Sequence, residues 1–143
     1  MWVKQINVFL ENQSGRLSEV TEVLSKADID IRALHIADTT DFGLLRIIVD
    51  KPNEALIVLQ QAGFTVSKTS VIALAIPDMP GTLNKALSVL SENNISLEYL
   101  YAFVGRASSD AVVVIRVDNA EEALEYFHAN GIKVLSPEEV YGI

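Results

Sequence analysis

Cysteine is absent from this chain of 143 residues, and its absence excludes several kinds of site. Without cysteine there can be no disulfide framework, no thiolate nucleophile and no cysteine-based zinc site. A composition free of disulfides is typical of proteins that stay in a reducing compartment. We therefore expect a cytoplasmic location.

Basic residues are also few, since 11 Lys and Arg stand against 19 Asp and Glu and leave a formal net charge of −8. Nucleic-acid binding depends on clustered Lys and Arg, and the chain has no such cluster. No run approaches the roughly 20 apolar residues that cross a bilayer, and the first residues begin a strand pattern rather than a signal sequence. We expect a soluble protein without nucleic-acid or membrane partners.

What the chain does have is an internal repeat. Residues 12–17 and 78–83 each close an apolar strand pattern and open a helical one, 66 residues apart. A repeat of this length indicates two copies of one structural unit, which we assign to residues 1–68 and 69–143. Units of this size bury a modest core, so the copies are expected to pack on one another or on a second chain. Residues 67–70 are interpreted as a short linker between them.

Each copy shows the order strand, helix, strand, strand, helix, strand. Residues 5–10 alternate polar and apolar side chains, which predicts a half-buried strand, and Leu17 and Leu24 then share one face at helical spacing. Residues 44–49 and 111–117 are dense in the β-branched side chains typical of strands. The predicted fold class is α+β, with two ferredoxin-like βαββαβ units in tandem and antiparallel sheets that are each covered by two helices on one face.

The second helix of each copy has recognisable boundary signals. Asp50 and Asp118 occupy the positions expected for N-caps, and Glu121 follows Asp118 at the spacing of a capping box. Gly63 and Gly131 are expected to end these helices in the left-handed conformation.

The sheet faces that the helices leave uncovered are predicted to be apolar. Phe9, Leu44, Ile48, Val112 and Val114 point away from the helices if their neighbours in the strands point inward. An open apolar face is rare in a monomer, so we expect a homodimer that associates through the sheets.

A search for catalytic residues finds no reactive group. His35 and His128 have no counterparts in the other repeat, and we interpret both as exposed or hydrogen-bonded side chains. Glu121, Glu122 and Glu125 are interpreted as a solvated helix face. No serine lies in a Gly-x-Ser-x-Gly turn, and no metal-ligand spacing occurs. We expect no enzymatic activity, no metal and no cofactor.

Gly15 and Gly81 occupy equivalent turns between a strand and a helix. Glycine permits a tight turn and the close approach of a ligand, and the free N–H groups of the first helical turn attract a small anion. Neither turn has the Gly-x-x-x-x-Gly-Lys-Ser/Thr pattern of a phosphate-binding loop. These turns are the candidate binding sites.

Residues 11–17, Glu-Asn-Gln-Ser-Gly-Arg-Leu, and residues 77–83, Pro-Asp-Met-Pro-Gly-Thr-Leu, resemble the D/N-x-P-G-x-L signature of the ACT domain. The later pairs Asp30-Ile31 and Ser96-Leu97 fit the same family pattern. The resemblance covers both units and implies regulatory binding of an amino acid at an interface between paired modules. The ligand-binding residues that it implies are Asn12, Gln13, Ser14, Gly15, Arg16, Leu17, Asp30, Ile31, Asp78, Met79, Pro80, Gly81, Thr82, Leu83, Ser96 and Leu97.

The two implied sites depart from the family pattern in different ways. Leu10 and Ile76 stand where some serine-binding members carry histidine, which disfavours serine sensing through the same contacts. The first turn has Ser14 where the family favours proline, whereas the second keeps Pro80, so the sites need not be equivalent. Arg16 could add a positive charge to the first site, but we expect its side chain to face solvent.

The leading functional hypothesis is a stand-alone regulatory protein that has two ACT domains and no catalytic domain, and that couples amino-acid binding to assembly or to a separate regulated enzyme. The alternative is an interaction or oligomerisation module of the same fold that binds no ligand. A screen of amino acids would discriminate between them. An RNA-binding ferredoxin-like domain is disfavoured by the acidic composition and by the lack of its aromatic motifs.

Overall fold

The order of helices and strands repeats along the chain as the sequence predicts. This computed structural model describes residues 2–11, 13–38, 42–104 and 109–143, and seven strands and five helices lie within them. The first unit contains β1 (Val3–Glu11), α1 (Arg16–Lys26), β2 (Ile31–Asp38), β3 (Phe42–Val49) and α2 (Pro52–Gln61). The second contains α3 (Thr82–Glu92), β5 (Leu97–Ala102), β6 (Asp110–Val117), α4 (Ala120–Ala129), β7 (Lys133–Val134) and α5 (Pro137–Tyr141). Strand β4 (Val66–Pro77) joins the two.

Each unit buries its helices against one face of the sheet. Val20 and Leu24 of α1 and Leu59 of α2 pack on the inward residues of β1 and β3. Phe127 of α4 is fully buried in the corresponding core of the second unit. These contacts confirm the predicted ferredoxin-like units, because helical stripes and alternating strand residues meet on the same side of the sheet.

The predicted helix ends are confirmed at the C-termini and wrong at the N-termini. Gly63 and Gly131 have φ angles of 91° and 69°, as the left-handed C-terminal cap requires. The N-caps of α2 and α4, however, are Lys51 and Asn119, one residue later than predicted. The Asn119 side chain accepts the hydrogen bond from the Glu122 N–H, and the predicted capping box with Glu121 does not form.

The misassigned aspartates hold the starts of β2 and β5 instead. The Asp50 carboxylate accepts a hydrogen bond of 2.9 Å from the Asp30 N–H, and the Asp118 carboxylate accepts one of 3.0 Å from the Ser96 N–H. Each aspartate therefore connects the end of one strand to the beginning of its neighbour. The cap prediction is wrong because an aspartate can satisfy a distant backbone donor as well as the local helix terminus.

The predicted linker lies inside a strand. Residues 67–70 belong to β4, which pairs with β1 from Val66 to Val71 and with β6 from Ile72 to Pro77. The resulting antiparallel sheet has the order β2-β3-β1-β4-β6-β5, with β7 also paired to β4. Backbone hydrogen bonds therefore fix the relation between the units, and the boundary between residues 68 and 69 falls within a continuous strand.

The sheet curls until its edge strands β2 and β5 meet. An antiparallel bridge joins Ala33 to Phe103, and the Val104 N–H donates to the Arg32 carbonyl at 3.0 Å. The uncovered faces of the two units consequently enclose a third core, which Val140 of α5 also enters. The expectation that the copies pack on one another is confirmed by this arrangement.

The curl of the sheet also shows that most of the predicted dimer interface is not available to a second chain. Ile48, Val112 and Val114 are buried inside the chain between the two sheet faces, whereas Phe9 remains 43% exposed. These three residues cannot form an intermolecular surface while the curled sheet stays closed, because the other unit of the same chain already covers them.

Candidate functional site

The two glycine turns have the same geometry. Gly15 precedes α1 with a φ angle of 88°, and Gly81 precedes α3 with a φ angle of 91°. Both angles lie in the left-handed region that favours glycine, and a Cβ added at either position would meet no atom within 4 Å. Glycine is therefore needed at these turns for backbone conformation rather than for lack of space.

The first turns of α1 and α3 present uncapped backbone donors to solvent. The N-cap residue of each helix is a glycine, which has no side chain that could cap them. The N–H groups of Leu17 and Ser18, and of Leu83 and Asn84, lie in these first turns. Together with the helix dipole, such donors form a site for a small anionic group such as a carboxylate.

An open groove of about 570 Å³ borders the Gly15 turn. It brings together four of the residues predicted for the first site, which are Gln13, Gly15, Arg16 and Leu17. Ser14 is exposed in the same turn, and Asn12 lies outside the described residues. The remaining lining combines apolar and polar groups: Leu10, Glu11, Ser18, Thr21, Ile36 and Gly43.

Arg16 does not face solvent as predicted. Its guanidinium lies 4.5 Å from the centre of the Phe64 ring and forms ion pairs with Glu19 at 2.6 Å and Glu11 at 3.7 Å. The side chain is only 21% exposed, because its guanidinium lies over the aromatic ring at the edge of the groove. The two carboxylates offset the charge that Arg16 would otherwise offer to an anion.

The second turn is built differently. The Thr82 hydroxyl lies 2.6 Å from the Pro77 carbonyl and 2.9 Å from the Met79 carbonyl, and it can donate to either, which ties the turn to the start of α3. Asp78, Met79, Pro80 and Gly81 are exposed, and Leu83 is 38% exposed. The turns thus share a backbone conformation but differ in the side chains around it.

The other predicted residues lie at the opposite end of each unit. The strand pairing sets Glu11 against Phe42 but Ile31 against Val49, so the length of β3 separates Ile31 from the Gly15 turn. Asp30 and Ile31 instead line a separate groove of about 480 Å³ along the C-terminal half of α1. Thr21 lines both grooves, from the middle of the helix.

Ser96 and Leu97 hold the equivalent position in the second unit, where Ser96 is bonded to Asp118 as Asp30 is to Asp50. Within one unit, the structure therefore does not join the glycine turn to the start of the second strand. A ligand that touched both kinds of residue would have to lie between units or between chains.

A polar cluster between the two sheet faces was missed by the sequence-based interpretation. Gln5 is fully buried, donates to Tyr99 at 2.9 Å and accepts from the Tyr101 hydroxyl at 2.7 Å. The Arg46 guanidinium lies 3.8 Å from the centre of the Tyr99 ring, and His35 stacks on Tyr101. The alternation in β1 predicted only a half-buried strand, and the curl of the sheet reveals that Gln5 cross-links the units.

Burial determines the protonation of this cluster. It raises the pKa of Tyr101 well above its ordinary value; the neighbouring Tyr99 also raises it and Arg46 opposes the shift. Tyr101 therefore remains a neutral hydrogen-bond donor to Gln5 throughout the physiological pH range.

Within the described ranges, no group of three or more His, Cys, Asp or Glu is arranged to hold a metal ion. In the same residues no helix is both long and apolar enough to cross a membrane.

Comparison with known proteins extends these observations. A family model described as an ACT domain pair matches residues 1–142. The crystal structure of protein BT0572 from Bacteroides thetaiotaomicron is similar over 100% of this chain and 98% of that one, with 40% identity and a TM-score of 0.93. No curated protein matches the sequence.

Two more distant structures share the fold. They are the regulatory subunits of aspartate kinase from Thermus thermophilus, in its ligand-free form, and from Thermus flavus, each 17% identical to this chain. Their TM-scores are 0.63 and 0.59, over 88% of this chain and 91% and 90% of theirs.

Proposed function

Because this chain belongs to the family of ACT domain pairs, we propose that it binds a free amino acid and transmits that binding to a separate regulated protein. One observation carries the proposal: the groove at the Gly15 turn combines the uncapped first turn of α1 with polar and apolar walls. Helix N–H groups suit the ligand carboxylate. The side chain of Gln13 and the carboxylate of Glu11 suit its ammonium group.

On the strength of the family resemblance, we also assign amino-acid binding to Asn12 and to the Gly81 turn, which contains Asp78. Asp30, Ile31, Ser96 and Leu97 would contribute only where two units or two chains meet. We propose no catalytic step and no cofactor, a cytoplasmic location, and a regulated enzyme as the partner.

A thermal-shift screen of the common amino acids tests this function. A ligand at about 100 times its Kd stabilises the folded state by about 2.7 kcal/mol, which raises the melting temperature of a domain of this size by a few degrees. We expect one amino acid or a small chemical group of them to produce such a shift. If every amino acid leaves the melting temperature unchanged, the alternative is favoured, an interaction module of the same fold that binds no ligand.

We also propose that the protein is a homodimer. The surface available for this contact is not the predicted sheet face but the pair of large apolar side chains Leu34 and Ile36, which stay exposed on the opposite face of the sheet from Phe9 and Phe42. Leu34 and Ile36 lie on β2, which is an edge strand of the sheet.

Light scattering at micromolar concentration is expected to give twice the chain mass of 15.7 kDa. The variant Ile36→Glu should shift the protein toward the monomer, because it puts a charge into this contact. The matched variant Ile57→Glu alters an exposed isoleucine of α2 and should not change the mass. A wild-type mass of one chain would exclude the dimer.

A further inference from the structure

The fourth strands of the two units differ in length, and the difference leaves a cavity. In the first unit, β4 pairs with β1 over six residue pairs, from Val3 with Val71 to Val8 with Val66. In the second, β7 pairs with β4 at only two, Leu74 with Val134 and Ala75 with Lys133. After the Leu135 N–H donates to the Ala73 carbonyl, the chain leaves the sheet and enters α5.

The cavity lies where β7 stops and β1 begins. It has a volume of about 390 Å³, within the range of ~300 to 1,000 Å³ that is usual for small-molecule sites. Its walls are mainly apolar and come from both units, because Trp2 of the first unit packs against the core of the second. The apolar lining residues are Trp2, Val71, Ile72, Leu124, Val134 and Pro137.

The last described residues do not fill this cavity. Val140 is buried in the core between the two sheet faces, and Tyr141 and Ile143 pack against the same core. The Tyr141 hydroxyl accepts a hydrogen bond from the Lys4 N–H, and its carbonyl accepts one from Arg32. The end of α5 is thereby held on the opposite side of the sheet from the cavity.

The polar groups at the cavity favour a positive charge. His128, Ser136, Glu138 and Glu139 complete the lining. The Ser136 N–H donates to the Glu139 carboxylate, and Lys133 lies 3.4 Å from it. The first of these contacts, with the help of Lys133, lowers the pKa of Glu139 and keeps it ionised at neutral pH. Glu138 is exposed and supplies a second carboxylate in a chain that is already strongly acidic.

We infer that this cavity between Trp2, Leu124 and Glu138 is a second ligand site, separate from the glycine turns, and that it takes a small molecule with an apolar ring and a positively charged amine. The ring would pack against Trp2 and Leu124, and the amine would pair with the Glu138 carboxylate, because Glu139 already pairs with Lys133. A free amino acid fits less well, since its own carboxylate would face Glu138 and Glu139. The inference does not depend on the function proposed above.

Trp2 is the single tryptophan of the chain, so its fluorescence reports on the cavity directly. Phenethylamine should give a saturable change in Trp2 emission when titrated into the full chain. Phenethyl alcohol has the same ring without the charge, and phenylacetate carries the opposite charge. We expect the Kd of phenethyl alcohol to be at least about fivefold higher than that of phenethylamine. The Kd of phenylacetate should be higher still. No saturable change with phenethylamine, or equal binding of phenylacetate, would overturn the inference.

Two variants locate the charge contact. Glu138→Gln should weaken phenethylamine binding by about two- to fivefold, the effect of an exposed ion pair, and leave phenethyl alcohol unchanged. Glu121→Gln alters an exposed glutamate of α4 outside the cavity lining and should change neither. Equal effects of the two substitutions on phenethylamine would contradict the assigned position of the amine.

The apolar wall is tested by Leu124→Phe, which fills the cavity and should weaken phenethylamine and phenethyl alcohol alike. The melting temperature of Leu124→Phe shows whether this variant folds. If it does not fold, the comparison of Glu138→Gln with Glu121→Gln tests the position of the ligand in the cavity. Substitution of both turn glycines by aspartate should leave phenethylamine binding intact. This result would show that the cavity and the proposed amino-acid site are separate, because amino-acid binding would be lost while phenethylamine binding is retained.

Discussion

The double substitution Gly15→Asp and Gly81→Asp is expected to abolish amino-acid binding while the protein stays folded. Each new carboxylate would lie at the start of α1 or α3, where the ligand carboxylate is proposed to meet the helix N–H groups. Two like charges cannot share that position, so the loss should exceed the effect of removing any single hydrogen bond to the ligand.

The same substitution should destabilise the protein without unfolding it. A Cβ at either glycine meets no atom within 4 Å, so the penalty comes from the left-handed backbone alone, about 1 to 2 kcal/mol per residue. Aspartate tolerates this conformation better than most residues, and its charge is favourable near a helix N-terminus. Calorimetric titration and a melting curve on the same sample measure both effects.

A matched control uses the other two left-handed glycines. Gly63→Asp with Gly131→Asp adds the same charge at similar φ angles, again without a steric contact, but at the C-terminal ends of α2 and α4. This variant should be the less stable of the two, because a carboxylate there opposes the helix dipole, yet it should bind the amino acid normally. A folded Gly15→Asp, Gly81→Asp protein with unchanged affinity would end the assignment of the site to these turns.

Val114→Asp is expected to unfold the protein. Val114 is fully buried in the core between the two sheet faces, with Ile48 and Ala73 in the same cluster. An aspartate there would be a buried charge without a partner, which costs about 3 to 5 kcal/mol or more and approaches the whole stability of a small protein. Urea unfolding followed by circular dichroism measures the loss.

Val104→Asp is the matched control, because it makes the same chemical change at a valine that is 70% exposed, and it should alter stability by less than about 0.5 kcal/mol. The pair also distinguishes packing within the chain from association between chains. If the face that carries Val114 were covered by a second chain, Val114→Asp would instead give a folded protein of lower mass. That outcome would contradict the closed sheet.

The repeat, the helices and most of the strands could be predicted from the sequence because local patterns encode them. Apolar spacing such as Leu17 to Leu24 shows which helix face is buried, and the aligned glycines Gly15 and Gly81 mark turns that share the left-handed backbone conformation. The cap assignments of Asp50 and Asp118 failed for a reason outside the local pattern. Their carboxylates accept hydrogen bonds from residues about twenty positions earlier in the chain.

Only the tertiary structure decided what covers each face. The alternation in β1 shows that Gln5 and Ile6 point to opposite sides, but it cannot show whether the polar side meets water or another polar surface. The curl of the sheet brings Tyr99 and Tyr101, more than ninety residues away, into hydrogen bonds with Gln5. In the same way, the short β7 and the packing of Trp2 on the second unit create a cavity that neither repeat contains alone. Periodicity in a sequence specifies which residues are buried, whereas the burying partner depends on long-range contacts that form only when both units fold together.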